Sequence, residues 1–125
     1  MRLALENHTP AFLDAPVGHS PEEFDWLMEH IQSEWVGRTL DIGHAHIAGR
    51  IDDFMARPFD RVFNVHLHDN NGVSDQHLPI GQGTIPWGSV LAQLAGACHK
   101  GPLTFEFLTR PPEYAGIIRR IRSYK

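Results

Sequence analysis

Four short apolar segments, each polar at alternate positions and carrying an ionisable side chain at or next to its C-terminal end, constrain this 125-residue chain more than any other feature. Side chains alternate across a β-strand, so residues two apart share a face. In Leu3–Glu6, Ala4 and Glu6 oppose Leu3 and Leu5; in Thr39–Ile42, Thr39 and Asp41 oppose Leu40 and Ile42. Val62–His68 sets Asn64, His66 and His68 against Phe63, Val65 and Leu67, and Leu103–Phe107 sets Thr104 and Glu106 against Phe105 and Phe107. The steps from Glu6 to Asp41, His66 and Glu106 are 35, 25 and 40 residues, close to the roughly 30 that a strand–helix–strand unit occupies.

Helical signals fill the gaps. Ser20-Pro21-Glu22-Glu23 supplies an N-cap, a proline at the first helical position and a capping-box glutamate. With Phe24, Leu27, Met28 and Ile31 at helical spacing, it predicts a helix from Ser20 to Trp35, with Trp26 and Trp35 on its core face and Gly37 ending it. A short helix near Arg50–Met55 is broken by Pro58. Val90, Leu91, Leu94 and Ala95 predict a helix over Trp87–His99, and Tyr114, Ile117, Ile118 and Ile121 one over Pro112–Arg122. Thr9–His19, Gly43–His46 and Asp69–Pro86 read as loops. Strand followed by helix, four times over, predicts an α/β fold of about four parallel strands with crossover helices, one domain over 1–125.

Composition narrows the function classes. With 42% hydrophobic and 21% charged residues the chain is not disordered. No apolar run approaches the roughly 20 residues that span a bilayer, and Glu6 interrupts any signal-peptide core, so a cytoplasmic location is expected with no membrane partner. Cys98, the single cysteine, supports neither an internal disulfide nor a cysteine-based zinc ribbon. A net charge of −4 gives no footprint for nucleic acid. Nine histidines are many for this length and direct attention to metal ligands.

The strand parity carries the chemistry. If the apolar faces pack beneath the helices, Glu6, Asp41, His66 and Glu106 converge at the strand C-termini. Three carboxylates gathered there repel one another and lose solvation. A divalent cation such as Mn, Mg, Co or Zn resolves the conflict, since carboxylates plus one imidazole suit all four. Beyond the strands, His44 lies three residues after Asp41, and Asp75-Gln76-His77 follows the third strand; His44, Asp75 and His77, with His68 and Trp87, are candidates for a second metal or for substrate binding. His68 and Asp69 read either as orienters of the ligands or as ordinary loop hydrogen-bonding residues, and Leu78 to Trp87 reads as a turn that sets Trp87 over the site. Gly81-x-Gly83 alone is a weak phosphate signal. His8, His19, His30, His46 and His99 read as structural or solvated.

The series Leu3-Ala4-Leu5-Glu6-Asn7-His8, Asp41-Ile42-Gly43-His44-Ala45, Val65-His66-Leu67-His68-Asp69, Asp75-x-His77-x-Pro79-x-Gly81-x-Gly83-x-Ile85-x-Trp87 and Thr104-Phe105-Glu106 resembles the xylose-isomerase-like TIM-barrel superfamily. That superfamily includes sugar and sugar-phosphate isomerases and epimerases and the endonuclease IV repair enzymes. The resemblance covers the C-terminal half of its barrel, strands five to eight. It implies that Glu6, Asp41, His66 and Glu106 hold a shared metal, that Glu6 and Glu106 are the catalytic proton-transferring pair, and that His44 contacts substrate. In the endonuclease branch His44, Asp75 and His77 match ligands of a further zinc, while other histidine ligands belong to the missing half.

The leading expectation is therefore a metal-dependent sugar or sugar-phosphate isomerase or epimerase, in which a polarised carbonyl allows two carboxylates to move a proton. The alternatives are endonuclease IV-like hydrolysis of phosphodiesters at abasic DNA, disfavoured by the acidic balance, and a non-catalytic half-barrel. Four strands cannot close a barrel, and bare strand edges invite pairing. A homodimer or higher assembly is expected, or else a missing N-terminal half, since Met1-Arg2-Leu3 begins inside a strand as a truncated or misassigned reading frame does.

Overall fold

A computed structural model of the chain describes residues 1–9, 18–107, 109 and 111–123. Strands β1 (Leu3–Glu6), β2 (Val36–Asp41), β3 (Val62–Leu67) and β4 (Leu103–Phe105) form one sheet in sequence order, every neighbouring pair parallel. Helices lie between and after them: α1 (Pro21–His30), α2 (Ile42–Ile47), α3 (Ile51–Met55), α4 (Trp87–Gly96) and α5 (Pro111–Ser123). This is the α/β arrangement of parallel strands and crossover helices expected from the alternation. Most of the Thr9–His19 loop lies outside the described residues.

The apolar strand faces build the core. Leu40, Ile42, Val65 and Leu67 are buried with Phe24, Phe54, Val90, Leu94 and Ile117 from the helices. At the sheet edges Leu3 and Phe105 remain exposed, because no described helix covers them. Among the described residues, no helix is long and apolar enough to cross a membrane.

Phe63 departs from the expected parity. Arg38 pairs with Val62 but Thr39 with Asn64, so Phe63 is the extra residue of a bulge, where strict alternation fails. Its ring lies over Gly37 on the face that carries Thr39 and Asp41; a Cβ added to Gly37 would sit 2.7 Å from it. Above the bulge the alternation resumes, and His66 faces the same side as Asp41 and Glu6.

Helix α1 starts as expected. The Ser20 hydroxyl accepts from the Glu23 amide, and the Glu23 carboxylate accepts from the amides of Gly18, His19 and Ser20. It stops at His30 rather than Trp35, and Gly37 lies within β2. The Arg61 guanidinium, remote in sequence, donates to the carbonyls of Met28, Ile31, Ser33 and Val36 and draws the chain out of the helix. Trp26 and Trp35 are consequently more than half exposed rather than core residues.

Candidate metal centre

Each strand delivers its last polar side chain to one end of the sheet. Glu6 ends β1, Asp41 ends β2, His66 is the penultimate residue of β3, and Glu106 follows β4, with its amide still donating to the Leu67 carbonyl at 3.2 Å. One ligand atom from each of the four lies within 4.8 Å of all the others. His66 Nδ1 is 3.0 Å from Glu106 Oε1, 3.3 Å from Glu6 Oε1 and 3.8 Å from Asp41 Oδ2.

Asp41 is the anchor of the group. It is fully buried, and its Oδ1 accepts from the His44 amide at 2.7 Å and from His68 Nε2 at 3.0 Å. Burial pushes its carboxyl up, but the His68 hydrogen bond, the nearby imidazoles and the His44 amide outweigh this and hold it below the usual carboxylate range. Its Oδ2 is buried and has no hydrogen-bond partner among the described residues, although it faces Glu6, His66 and Glu106. A buried lone oxygen aimed into a set of oxygen and nitrogen donors fits a divalent cation. For His66, burial opposes the charged ring, but Glu6, Glu106 and Asp41 overcome it and raise its pKa above the ordinary value.

Asn7 is a member of the site that the sequence reading assigned no role. Its side-chain amide donates to the Asp41 carbonyl at 2.9 Å and accepts from the Asp41 amide at 2.7 Å. It thereby imitates a peptide group and extends the β1–β2 ladder one step beyond the strand ends, fixing Glu6 relative to Asp41. Its own carbonyl accepts from His44 Nδ1 at 2.8 Å. An asparagine directly after a strand-terminal glutamate was the available signal.

The segment 43–46, expected as a loop, belongs to α2. Asp41 is the N-cap, its carboxylate taking the His44 amide, so the group that faces the site also starts the helix. Gly43 lies under the His68 ring, and any Cβ there would collide with it.

His44, His68, Asp75 and His77 form a second group, again with one ligand atom from each within 4.8 Å of the others. The residues 69–87 that carry Asp75 and His77 are organised by Asp69, which is fully buried. Its carboxylate accepts from the amides of Asn70, Gly81 and Ile85 and from the Trp87 indole, and its backbone pairs with Leu78. Trp87 is accordingly buried beneath this segment instead of lying over the site, a correction imposed by its N–H seeking a buried acceptor. Of the histidines read as structural, His46 bonds the Thr84 hydroxyl at 2.9 Å.

A cleft of about 460 Å³ opens beside the second group, lined by His8, Thr9, His44, Ile47, Asp75 and His77. A larger hollow of about 790 Å³ lies at the opposite end of the sheet, among Arg2, Arg61, Phe63, Cys98, His99 and Lys100, and contains none of the converging groups.

A family model described as a xylose isomerase-like TIM barrel matches residues 1–124. An uncharacterized protein of Methanocaldococcus jannaschii is 36% identical over 109 residues, covering 85% of this chain and 36% of that protein. The inosose dehydratase of Salmonella typhimurium is 27% identical over 110 residues, covering 74% of this chain and 36% of that enzyme. The crystal structure of a D-tagatose 3-epimerase-like protein superposes with a TM-score of 0.81 at 30% identity, over 99% of this chain and 46% of that one. The chain spans about a third of the length of these two relatives and about half of that solved chain.

Proposed function

The chain belongs to the xylose isomerase-like TIM barrel family, and from that premise we propose that it is a metal-dependent sugar or sugar-phosphate isomerase or epimerase. The observation that carries the reading is the convergence of Glu6, Asp41, His66 and Glu106 around the unpartnered Asp41 Oδ2. These four residues would hold a divalent cation, Mn, Mg, Co or Zn, which when bound supplies Lewis-acid polarisation of a substrate carbonyl.

The exposure of the four side chains divides their labour. Asp41 is wholly buried and His66 nearly so, whereas Glu6 and Glu106 are 26% and 29% exposed. Asp41 and His66 hold; Glu6 and Glu106 can also reach a substrate from the mouth. They approach His66 from β1 and from the end of β4, so a sugar bound between them meets a carboxylate on each side. One carboxylate can take a proton from the carbon beside the carbonyl. The other can return one to the opposite face, or to the neighbouring carbon. Likeness to a D-tagatose 3-epimerase-like protein supports this chemistry. Likeness to an inosose dehydratase favours a second outcome of the same first step, in which the abstracted proton is followed by loss of an adjacent hydroxyl as water.

The sheet has two open edges, β1 and β4. We propose that they are closed by another four strands, from a second copy or from an N-terminal half of the same polypeptide, which would also supply the rest of the substrate walls. Light scattering of the 125-residue chain at twice the monomer mass supports the dimer; a monodisperse monomer removes it.

The test of the chemistry is proton exchange. Metal-loaded protein is offered a panel of ketoses, ketose phosphates and inososes in deuterated water. Incorporation of deuterium beside the carbonyl is expected, reduced by about 10²-fold or more in Glu106→Gln, the scale of a lost general acid–base group. Protein that binds the cation yet exchanges no proton in any member of the panel overturns the reading.

A further inference from the structure

The two carboxylates assigned to proton transfer stand at the ends of the two edge strands, β1 and β4, each paired on one side only. An edge strand leaves a row of its backbone groups without ladder partners, so its last residue is weakly held. The ladder of β4 ends with Leu67 opposite Phe105; beyond it Glu106 keeps one strand contact, its amide donating to the Leu67 carbonyl at 3.2 Å. Its carboxylate nevertheless stands 3.0 Å from His66 Nδ1. On the β1 edge the comparable weakness is met by Asn7, whose side chain takes both backbone groups of Asp41. The β4 edge has a device of its own. His77 Nδ1 donates to the Glu106 carbonyl, so Glu106 is pinned at its amide by the sheet and at its carbonyl by a side chain 29 residues earlier.

Two features mark that contact as built rather than incidental. His77 has a φ of +46°, a left-handed conformation uncommon outside glycine, and such conformations persist only where the surroundings over-determine them. Its ring is also fixed in plane, stacked on His68 with centroids 4.0 Å apart and 8° between the planes. His68 is completely buried and meets Asp41 Oδ1 at 3.0 Å. A rigid line therefore runs from the Asp41 carboxylate through two stacked rings to the backbone of Glu106. The charge of the His77 ring does not decide the contact: a carbonyl only accepts, so Nδ1 carries its proton in the neutral and in the charged form alike.

We propose that His77 is a positioning residue for Glu106. It acts through the backbone, setting where the Glu106 carboxylate stands relative to Asp41 and His66, and with that the separation of the two groups that exchange protons with substrate. Asn7 beyond β1 and His77 beyond β3 thus give each carboxylate a clamp past the ladder of its own strand. The mouth keeps its spacing although both strands are edges. The atom that matters is Nδ1; Nε2, which faces Asp75 Oδ2 at 3.2 Å, is not needed for this role.

The inference rests on the proposed function only for what Glu106 does, and the two fail separately. Asparagine places its amide nitrogen where the imidazole places Nδ1, whereas aspartate places an acceptor there, and both tolerate a left-handed backbone. The His77 side chain is 41% exposed, so its replacement leaves no core cavity, and His77→Ala controls for the charge that aspartate adds. Three quantities are read: hydrogen exchange of the Glu106 amide, Mn²⁺ affinity by water-proton relaxation, and the kcat and KM of proton exchange with substrate. In His77→Asp and His77→Ala the amide should exchange about tenfold faster, Mn²⁺ affinity and kcat should each fall about tenfold or more, and KM should stay within about threefold, the scale of a lost contact behind a metal ligand. His77→Asn should stay within about threefold of the parent throughout, because it restores the donor and removes Nε2. An asparagine variant as impaired as alanine, which would assign the role to Nε2, overturns the proposal. So do alanine and aspartate variants whose Glu106 amide and Mn²⁺ affinity match the parent. The expected amide pattern in a protein that exchanges no proton with any substrate upholds the clamp and overturns the proposed function.

Discussion

Replacing Asp69 by asparagine changes one atom of a side chain that never reaches either candidate site, yet the cost should be among the largest in the molecule. The Asp69 carboxylate takes two donors on each oxygen: Gly81 N at 2.8 Å and Trp87 Nε1 at 2.9 Å on Oδ2, Asn70 N at 2.9 Å and Ile85 N at 3.2 Å on Oδ1. An asparagine keeps one acceptor oxygen, so whichever way the amide turns, its NH₂ confronts two N–H groups. Two hydrogen bonds to a charged group are lost at about 1.5–3 kcal/mol each, and relaxation of the partly buried Gly81 amide toward water recovers some of this. The expected loss is about 3–5 kcal/mol, a large share of the 5–15 kcal/mol that a domain typically has. In urea, with a slope of about 2 kcal/mol/M, the unfolding midpoint should fall by about 1.5–2.5 M. Trp87→Phe removes a single donor and keeps the charge, and should cost about 1–3 kcal/mol. Hydrogen exchange localises the effect: the Gly81 and Ile85 amides should lose protection before those of β2 and β3. A midpoint shift worth less than about 1 kcal/mol, or amides of Gly81 and Ile85 that stay as protected as in the parent, would refute the reasoning.

Two further outcomes follow from single contacts. Gly43→Ala puts a methyl group into the His68 ring; loss of the His68–Asp41 hydrogen bond should destabilise the fold by about 2 kcal/mol or more, read by urea unfolding, and a variant as stable as the parent would contradict the packing. Glu22 bonds Arg50 and Arg57 at the surface, and the Arg50 hydrogen bond above all lowers its pKa to about 2. Its folded value lies below the unfolded 4.5, so the stability it contributes is present above pH 4.5 and is lost as pH falls toward 2; carboxyl NMR should follow that titration, and Arg50→Ala should move it back toward 4.5.

The parts legible in the sequence are those set by local period. Alternation in β1, β2 and the upper half of β3 placed Glu6, Asp41 and His66 on one face, and the Ser20–Glu23 box located the start of α1. Contacts between distant residues were not legible. The end of α1 depends on Arg61, 31 residues beyond it, and no feature of residues 30–37 announces that. Phe63 was grouped with Val65 and Leu67 beneath the helices because alternation was extended through a bulge that only pairing with β2 creates. Asp41 was read as a site carboxylate, and its second role as a helix cap was missed because the strand passes into α2 without a loop. Trp87 was placed over the site by its position at the end of a turn, whereas its buried N–H sends it to Asp69.

The four strands that carry Glu6, Asp41, His66 and Glu106 are neighbours in both sequence and sheet. No other wall of a barrel is needed to set the spacing of these four groups. Under the proposed function, reactivity and substrate choice would therefore be separable by recombination. A different set of opposing strands can be joined to β1 and β4 without moving these four groups, so under the proposed function a lineage built this way would change what it acts on while keeping its proton-transfer groups in place.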